Sequence, residues 1–399
     1  MSKSRKGHTI GDIWEIARTF TRLGLTSFGG PTAHLGYFKD TFVDKLRWMS
    51  EAEYARTVAL CQFLPGPASS QVGMAIGYRK AGLGGLFAAW LAFTAPSALA
   101  LGIFGLGVDS VDLDQHRGLL AGLLAAAVAV VFHAVSTMAR SLASTPFTAT
   151  ISVTSALAVL LVPSAITQVA IIVGAATIGV FLSSPRAQDT YPNDPTTGHQ
   201  VGSRTAWLAL VILVGLLLIL PVATRLTPSH VLAQWAAFFQ SGALVFGGGH
   251  VVLPLLEQHT VQQEWVTAQE FLAGYSAAQA VPGPLFTFAS YLGAVDSGVV
   301  GAIIATLAIF APSVLLVLVG MHWWDRLQRF PRVSQGVAAV NAAVVGLLAA
   351  ALYDPVFTHG VTGPASLCVA ALSWLGLTQW HLPAWAVAVG AALVGAVVL

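Results

Sequence analysis

The sequence predicts an all-α polytopic membrane protein built from two inverted-topology repeats with broken or re-entrant helices, joined by one extra transmembrane helix. Three observations predict this: long uncharged runs, an internal repeat, and a reversal of loop charge between the two copies. Of 399 residues, 56% are hydrophobic and only 9% are charged, whereas about a quarter are charged in a soluble domain. Runs such as 81–107, 145–184 and 205–224 carry no charge, and each is long enough to cross a ~30 Å hydrocarbon core as a helix.

The second half of the chain repeats the first, with two single-residue slips. At an offset of 218, Phe28-Gly29-Gly30 falls on Phe246-Gly247-Gly248. At 217, Pro65-Gly66-Pro67 falls on Pro282-Gly283-Pro284, and at 216 Pro96-Ser97 falls on Pro312-Ser313. Apolar composition alone does not produce such matches. We therefore predict a first repeat in residues 1–182, a polar linker plus an inverting transmembrane helix in 183–227, and a second, inverted repeat in 228–399.

Equivalent loops of the two copies carry opposite charges. The turn after the first Pro-Gly-Pro helix holds Arg79 and Lys80, and its counterpart holds Asp296. The loop at 109–117 is acidic, whereas its counterpart at 325–332 is basic. Because Lys and Arg favour the cytoplasmic side, equivalent loops are expected on opposite sides. Inverted repeats are typical of secondary transporters, whose solute site lies at the repeat interface near the midplane. The basic N-terminus is expected in the cytoplasm, without a cleaved signal peptide.

Four helix breaks fall at equivalent places in the two copies. For the first copy, the pattern predicts segments over 9–28, 31–48, 50–64, 67–79, 83–107, 117–139, 146–162 and 164–182. Several are too short to span, so they are expected to be re-entrant or halves of broken helices. Proline is well suited to start the new helix, and the N–H groups that follow favour an anion. The alternative is that the Gly-Gly-Pro and Pro-Gly-Pro motifs only kink helices or form surface turns.

The candidate substrate-binding residues are the breaks and the polar side chains beside them. Arg22 shares a helix face with Arg18 and could attract a dianion, pair with Glu15 or snorkel; His34 and His250 could contact an oxyanion or be structural. No Lys or Arg occurs from 227 to 324, so the first copy is expected to supply the positive field. The full set is Arg22, Gly29, Gly30, Pro31, Thr32, His34, Gln62, Pro65, Gly66, Pro67, Ser69, Ser70, Gln71, Gly247, Gly248, His250, Gln279, Pro282, Gly283 and Pro284.

Several other functional classes lack their sequence motifs. The chain has no P-loop, no His-Glu-x-x-His and no Gly-x-Ser-x-Gly, so we expect no directly ATP-driven transport, no enzymatic activity, no cofactor and no metal. Its two cysteines, Cys61 and Cys368, lie in apolar surroundings, which does not indicate a disulfide framework. The expected partners are an oxyanion and the lipid bilayer, and no nucleic acid; a coupling proton and a homodimer stay open.

These motifs together resemble the chromate ion transporter family of bacteria and archaea, in its long two-domain form. The resemblance lies in Ser27-Phe-Gly-Gly-Pro-Thr-Ala-His34, Leu64-Pro-Gly-Pro-Ala-Ser-Ser-Gln71 and Ala280-Val-Pro-Gly-Pro284. It implies chromate efflux across the inner membrane, chromate resistance, and substrate roles for Gly29, Gly30, Pro31, His34, Pro65, Gly66, Pro67 and Gln71. With the inverted repeat it suggests alternating access. Transport of sulfate or another tetrahedral oxyanion is the alternative, and a channel or membrane-embedded enzyme is disfavoured. The second copy departs at Gly249, where the first has Pro31.

Overall fold

The computed structural model describes residues 10–27, 30–108, 117–162, 165–182, 198–245, 252–327 and 331–399. These residues contain helices and no strand, which confirms the all-α prediction. The helices of the first half are α1 (Ile10–Thr26), α2 (Gly30–Lys39, continued by a π-helical stretch Asp40–Lys45), α3 (Glu51–Phe63), α4 (Ala68–Val108), α5 (Arg117–Leu142), α6 (Pro146–Leu161) and α7 (Ala165–Leu182). Their bounds lie close to the predicted segments.

The second half repeats this order after one additional helix. Its elements are α8 (Ser203–Leu226), α9 (His230–Leu244), α10 (Val252–Thr260), α11 (Ala268–Ala280), a 3₁₀ turn (Leu285–Thr287), α12 (Phe288–Leu327), α13 (Pro331–Ala351), a π-helical stretch (Leu352–Phe357), α14 (Thr358–Gly360), α15 (Pro364–Thr378) and α16 (Ala384–Val398). Within the described ranges, five helical stretches are long and apolar enough to cross a membrane: Ala68–Gly107, Gly118–Leu142, Ser203–Leu226, Leu285–Trp324 and Gln335–Gly360. The chain is therefore a multi-pass membrane protein.

Helix α4 is a hairpin of two limbs rather than one rod. Ala81 (φ −142°) and Gly82 (φ +61°, ψ −148°) leave the helical region. A Cβ at Gly77 would overlap the carbonyl oxygen of Gly85, yet residues eight apart in a straight helix are about 12 Å apart. The chain therefore turns back at 81–82, as predicted from the segments 67–79 and 83–107. Glycine is required at position 82, because the positive φ disfavours any side chain.

Helix α12 folds in the same way. Ser297 (φ −141°) and Gly298 (φ +63°, ψ −151°) reproduce the dihedral angles of the first hairpin, and Gly293 lies against Gly301. The short first limb of α4, residues 68–80, extends only about 20 Å at 1.5 Å per residue. It therefore cannot cross a ~30 Å core alone.

Each hairpin tip is tied to the first helix of its own copy by a charged pair and a tryptophan. At the first tip, Lys80 Nζ lies 2.6 Å from Glu15 Oε2 and 3.5 Å from the centre of the Trp48 ring. At the second, Asp296 Oδ2 lies 2.7 Å from His230 Nε2, and the His230 ring lies 5.1 Å from that of Trp265. The geometry is equivalent, but the tip is a cation in one copy and an anion in the other.

The remaining helices of the two copies interlock. Helix α1 packs along α4 and α9 along α12, while α4 and α12 pack against each other. Helix α5 packs against α15 and α16 of the second copy, and α13 packs against α6 and α7 of the first. Each copy thus completes its packing with helices of the other, so the two form one core rather than two domains side by side.

Small residues allow the closest of these contacts. A Cβ at Gly122 of α5 would overlap the Ala391 carbonyl of α16, and a Cβ at Gly118 would lie 2.6 Å from the Gly395 carbonyl oxygen. Gly118 and Gly122 of α5, four residues apart, therefore both lie against the backbone of α16. In membranes, such small-residue faces let helix backbones approach closely.

Replacing Gly122 by leucine is expected to lower the apparent melting temperature of the purified protein. The new side chain has no space against α16, and overpacking of this kind destabilises by about 1–3 kcal/mol, occasionally more. Thermal unfolding in detergent measures the effect. Gly174→Leu on α7 is the matched control, because nothing lies within 4 Å of a Cβ there. Equal melting temperatures for the two variants would contradict the packing.

Candidate functional site

The Pro65-Gly66-Pro67 break of the first copy docks on the end of α9 in the second. The Gly66 N–H donates to the Val245 carbonyl oxygen at 2.5 Å. Gly66 has φ +115°, and a Cβ there would lie 2.6 Å from Ser313 Oγ and 2.7 Å from Gln71 Nε2. Only glycine fits this backbone conformation and this space. We call this contact the first crossing.

The Pro282-Gly283-Pro284 break makes the reciprocal contact, which we call the second crossing. The Gly283 N–H donates to the Ser27 carbonyl oxygen at the end of α1, at 3.0 Å. Gly283 has φ +105°, and a Cβ there would lie 2.7 Å from Ser97 Oγ. Ser97 and Ser313 are equivalent in the repeat, as are residues 27 and 245. The two crossings are therefore equivalent contacts made in opposite directions between the copies.

The start of α4 connects the two crossings through side chains. Gln71 is fully buried, and its Nε2 donates to the Pro65 carbonyl at 2.6 Å and lies 3.5 Å from Ser313 Oγ. Two residues earlier, Ser69 Oγ lies 3.3 Å from His34 Nδ1. His34 Nε2 in turn lies 3.1 Å from the Ser27 carbonyl oxygen. The two Pro-Gly-Pro breaks and α2 therefore meet at one place inside the bundle.

The hydrogen bonds of His34 define its tautomer. A carbonyl oxygen can only accept, so we assign the proton to Nε2, which donates to Ser27. Nδ1 of the neutral ring then accepts from the Ser69 hydroxyl. With both nitrogens engaged and 1% of the residue exposed, His34 holds α1, α2 and α4 together. Its contacts favour the structural alternative over direct contact with a solute.

The two copies differ in polarity after their Pro-Gly-Pro breaks. Ala68 opens α4 directly, and the first bond within that helix runs from the Gln71 N–H to Pro67 at 3.0 Å. The earlier N–H groups have no partner within the helix, and Ser69, Ser70 and Gln71 follow the break. In the second copy a 3₁₀ turn tightens the start, and the positions of Ser69 and Gln71 hold the buried phenylalanines Phe286 and Phe288. The polar site thus belongs to the first copy.

Several buried polar atoms near the crossings lack a hydrogen-bond partner among the described residues. They are Ser27 Oγ, Ser70 Oγ, Gln71 Oε1 and Thr94 Oγ1. Such atoms are uncommon in folded proteins, and each costs about 1–3 kcal/mol when nothing compensates. Four such atoms at the crossings make this region a candidate for contact with a polar solute or water.

Not every predicted site residue lies at the crossings. Arg22 is exposed on the face of α1 that points away from Leu23 and Gly24, and it lines a surface groove with Trp14 and Arg18. Gln62 is exposed at the end of α3, whereas Gln279 is half-buried and bonds Tyr275. Gly30 has φ +75° with open space around it, beside half-buried Pro31. Gly29, Gly247, Gly248 and His250, and the side chain of Thr32, lie outside the described residues.

Sequence reasoning missed Ser27, Ser97 and Ser313 as site residues. The Ser97 and Ser313 pair was already visible in the repeat alignment, directly after the matched prolines. Ser27 contributes chiefly its backbone carbonyl, which no side-chain pattern reveals. The last carbonyl groups of a helix have no partners within that helix. The predicted break after α1 was therefore the available signal that the Ser27 carbonyl could accept a hydrogen bond.

Half-helices that meet inside a multi-pass helical bundle are typical of membrane transport proteins. The chain belongs to the chromate transporter family: the family model "Chromate transporter" matches residues 14–180 and 232–396. Those two matches cover most of the chain and coincide with its two halves. Family membership supports chromate transport as the function.

Named relatives agree with this assignment. The chain is 28% identical to a "Probable chromate transport protein" of Synechococcus elongatus, over 86% of this chain and 85% of the relative. It is 26% identical to the "Chromate transport protein" of Pseudomonas aeruginosa, over 85% and 80% of the two chains. It is also 26% identical to that of Cupriavidus metallidurans, over 96% and 92%. No solved structure matches the chain.

Proposed function

We propose that the protein exports chromate across the bacterial inner membrane by alternating access between two inverted halves, and so confers chromate resistance. The observation that carries the proposal is the reciprocal pair of crossings, Gly66 N–H to Val245 and Gly283 N–H to Ser27. Each is a backbone contact between the copies at a helix break. Movement of one copy against the other would open one side of the site while closing the other.

Sidedness in this proposal follows from the hairpin tips. The first tip carries Arg79 and Lys80, which favour the cytoplasmic side. Arg79 pairs with Glu53 and Lys80 with Glu15. The second tip carries Asp296 and belongs on the opposite side. The N-terminus is then cytoplasmic, and α8 is the extra membrane-spanning helix that inverts the second copy.

The chromate dianion is proposed to bind at the start of α4. The free N–H groups of its first turn and the positive end of its dipole favour an anion, and the Ser69 and Ser70 hydroxyls can donate to its oxygens. His34 of α2 contacts Ser69 near the start of α4. The Gly30 and Pro31 break at the start of α2 therefore lies next to the proposed anion site. The Pro282-Gly283-Pro284 break forms the diverged, more apolar wall.

Flux into everted membrane vesicles tests the proposal. Vesicles from cells that produce the protein should accumulate radiolabelled chromate when energised, and vesicles without it should not. Strong competition by sulfate would instead identify a general tetrahedral-oxyanion carrier. Equal flux with and without an imposed pH gradient in proteoliposomes would contradict proton-coupled export and leave a channel or an uncoupled carrier.

A proton is the proposed coupling ion, with Glu257 as its carrier. Glu257 is half-buried on α10, bonds Gln262, and lies within electrostatic range of the Asp354 carboxylate. Burial raises the pKa of the Glu257 carboxyl above its usual range, and the Asp354 carboxylate adds to this. Glu257→Gln is expected to remove most of the stimulation of chromate flux by a pH gradient in proteoliposomes while leaving insertion unchanged. The exposed Glu264→Gln is the matched control, and unchanged stimulation in Glu257→Gln would exclude this residue as the carrier.

A further inference from the structure

Helix α1 has one buried face and one face that no described element covers. Its buried residues Ile16, Phe20, Leu23 and Gly24 lie on the side packed along α4. On the other side, Trp14 is 70% exposed and Leu25 is 55% exposed. Arg18 and Arg22 lie between them on the same stripe and are also exposed. The stripe therefore combines two cations with large apolar side chains.

This stripe forms a groove of about 440 Å³. Trp14 and Arg18 line the groove toward the N-terminal end of α1, and Arg22 and Leu25 line it toward the C-terminal end. No ion pair joins Arg18 or Arg22 to another residue of the described ranges. The guanidinium groups are therefore available to a ligand from outside the chain.

The position of the groove along α1 indicates its depth. Glu15 pairs with Lys80 at the hairpin tip, and under the proposed sidedness this charged tip is placed at the membrane surface. Arg18 and Arg22 are three and seven residues further along, which is roughly 5 and 10 Å deeper. An arginine facing hydrocarbon at that depth is unfavourable without a partner. Helical side chains lean toward the N-terminus, and long cationic ones reach the headgroups, so both guanidiniums can approach the phosphate level.

We propose that this groove is a binding site for one anionic phospholipid, with its phosphate between Arg18 and Arg22. Residues four apart are neighbours on a helix, with about 6 Å between their Cβ atoms. Each guanidinium group can donate two parallel hydrogen bonds to the oxygens of one phosphate. Trp14 lies where aromatic rings prefer the membrane interface, and Leu25 lies where an acyl chain would run.

Two other occupants fit the groove less well. A second copy related by a two-fold axis would place the same patch against itself, so that four guanidinium groups would face one another. Chromate has no apolar part for the Trp14 and Leu25 surfaces, and the groove opens away from the crossings. An anionic amphiphile matches both the charge and the apolar surface.

Lipid retention measured by native mass spectrometry tests the site. Delipidated full-length protein is titrated with phosphatidylglycerol, and Arg18→Gln/Arg22→Gln is compared with the control Arg140→Gln/Arg225→Gln, whose arginines are exposed at the ends of α5 and α8. Wild type and control should bind one more phosphatidylglycerol molecule than the Arg18/Arg22 variant, with affinity at least tenfold higher. In wild type, phosphatidylcholine should not compete.

Three results would overturn the proposal. The first is equal phosphatidylglycerol binding by both double variants. The second is a dimeric wild type that becomes monomeric in the Arg18/Arg22 variant, which would assign the face to contact between copies. The third is competition by phosphatidylcholine at equal concentration in wild type, a measurement that does not depend on either variant folding.

Discussion

Gly66→Ala is expected to lower chromate flux by about tenfold or more while the protein still inserts in the membrane. At φ +115° a side chain is strained, and strain of this kind costs on the order of 1–3 kcal/mol. A cost of about 1.4 kcal/mol changes an equilibrium constant by a factor of ten. The new Cβ would also lie 2.6 Å from Ser313 Oγ and 2.7 Å from Gln71 Nε2. The first crossing would therefore be displaced from Val245. Flux in everted vesicles, normalised to the amount of membrane-inserted protein, measures the effect.

Gly215→Ala on α8 is the matched control for this change. Nothing lies within 4 Å of a Cβ at Gly215, and alanine favours a helix more than glycine does, so its flux should equal that of wild type. Gly283→Ala should behave like Gly66→Ala, because the second crossing has φ +105° and a serine at 2.7 Å. Wild-type flux in Gly66→Ala would show that the crossing does not take part in transport.

Gln71→Glu is expected to abolish chromate transport. The carboxylate is nearly isosteric, but it cannot donate to the Pro65 carbonyl that Nε2 now contacts at 2.6 Å. It also places a negative charge at a fully buried position beside the proposed anion site, which is unfavourable without a cationic partner. Gln71→Met removes the same hydrogen bond without adding charge, so it should retain part of the flux. Chromate flux and melting temperature are measured for both variants.

A third variant separates electrostatic exclusion of chromate from a general penalty for burying a carboxylate. Gln168 on α7 is 4% exposed, and its Oε1 has no partner in the described part of the chain. Gln168→Glu should lower the melting temperature yet leave the chromate flux per folded molecule unchanged. Equal flux in Gln71→Glu and Gln71→Met would remove Gln71 from the anion site and leave it a purely structural role.

Much of the local structure could be predicted from residue types. Gly82 and Gly298 lie between polar turn residues and long apolar runs, and both hairpins turn there. Thr267 and Glu270 form a capping box at the start of α11, a pairing that their spacing of three residues indicates. These features depend on neighbours within a few residues, which the sequence displays directly.

The residue spacing in α1 is sufficient to predict that Arg22 lies on the exposed face, although Arg22 is among the predicted substrate-binding residues. Spacing of Ile16, Phe20, Leu23 and Ser27 by three or four residues defines the inner face of α1, and these residues are buried. Arg22 falls outside that stripe. Its charge, rather than its helical phase, led to its assignment to the anion site.

Residue types and their order are sufficient to predict an all-α membrane protein with two similar halves whose helices break at equivalent points, because hydropathy, glycine and proline act locally. The contacts of Gly66 with the end of α9 and of Gly283 with the end of α1 follow only from the folded structure. A repeat defines which positions are equivalent, not which ones touch. The partner of each break is the carbonyl that a distant helix end leaves without a bond, and that choice is made by packing between the copies.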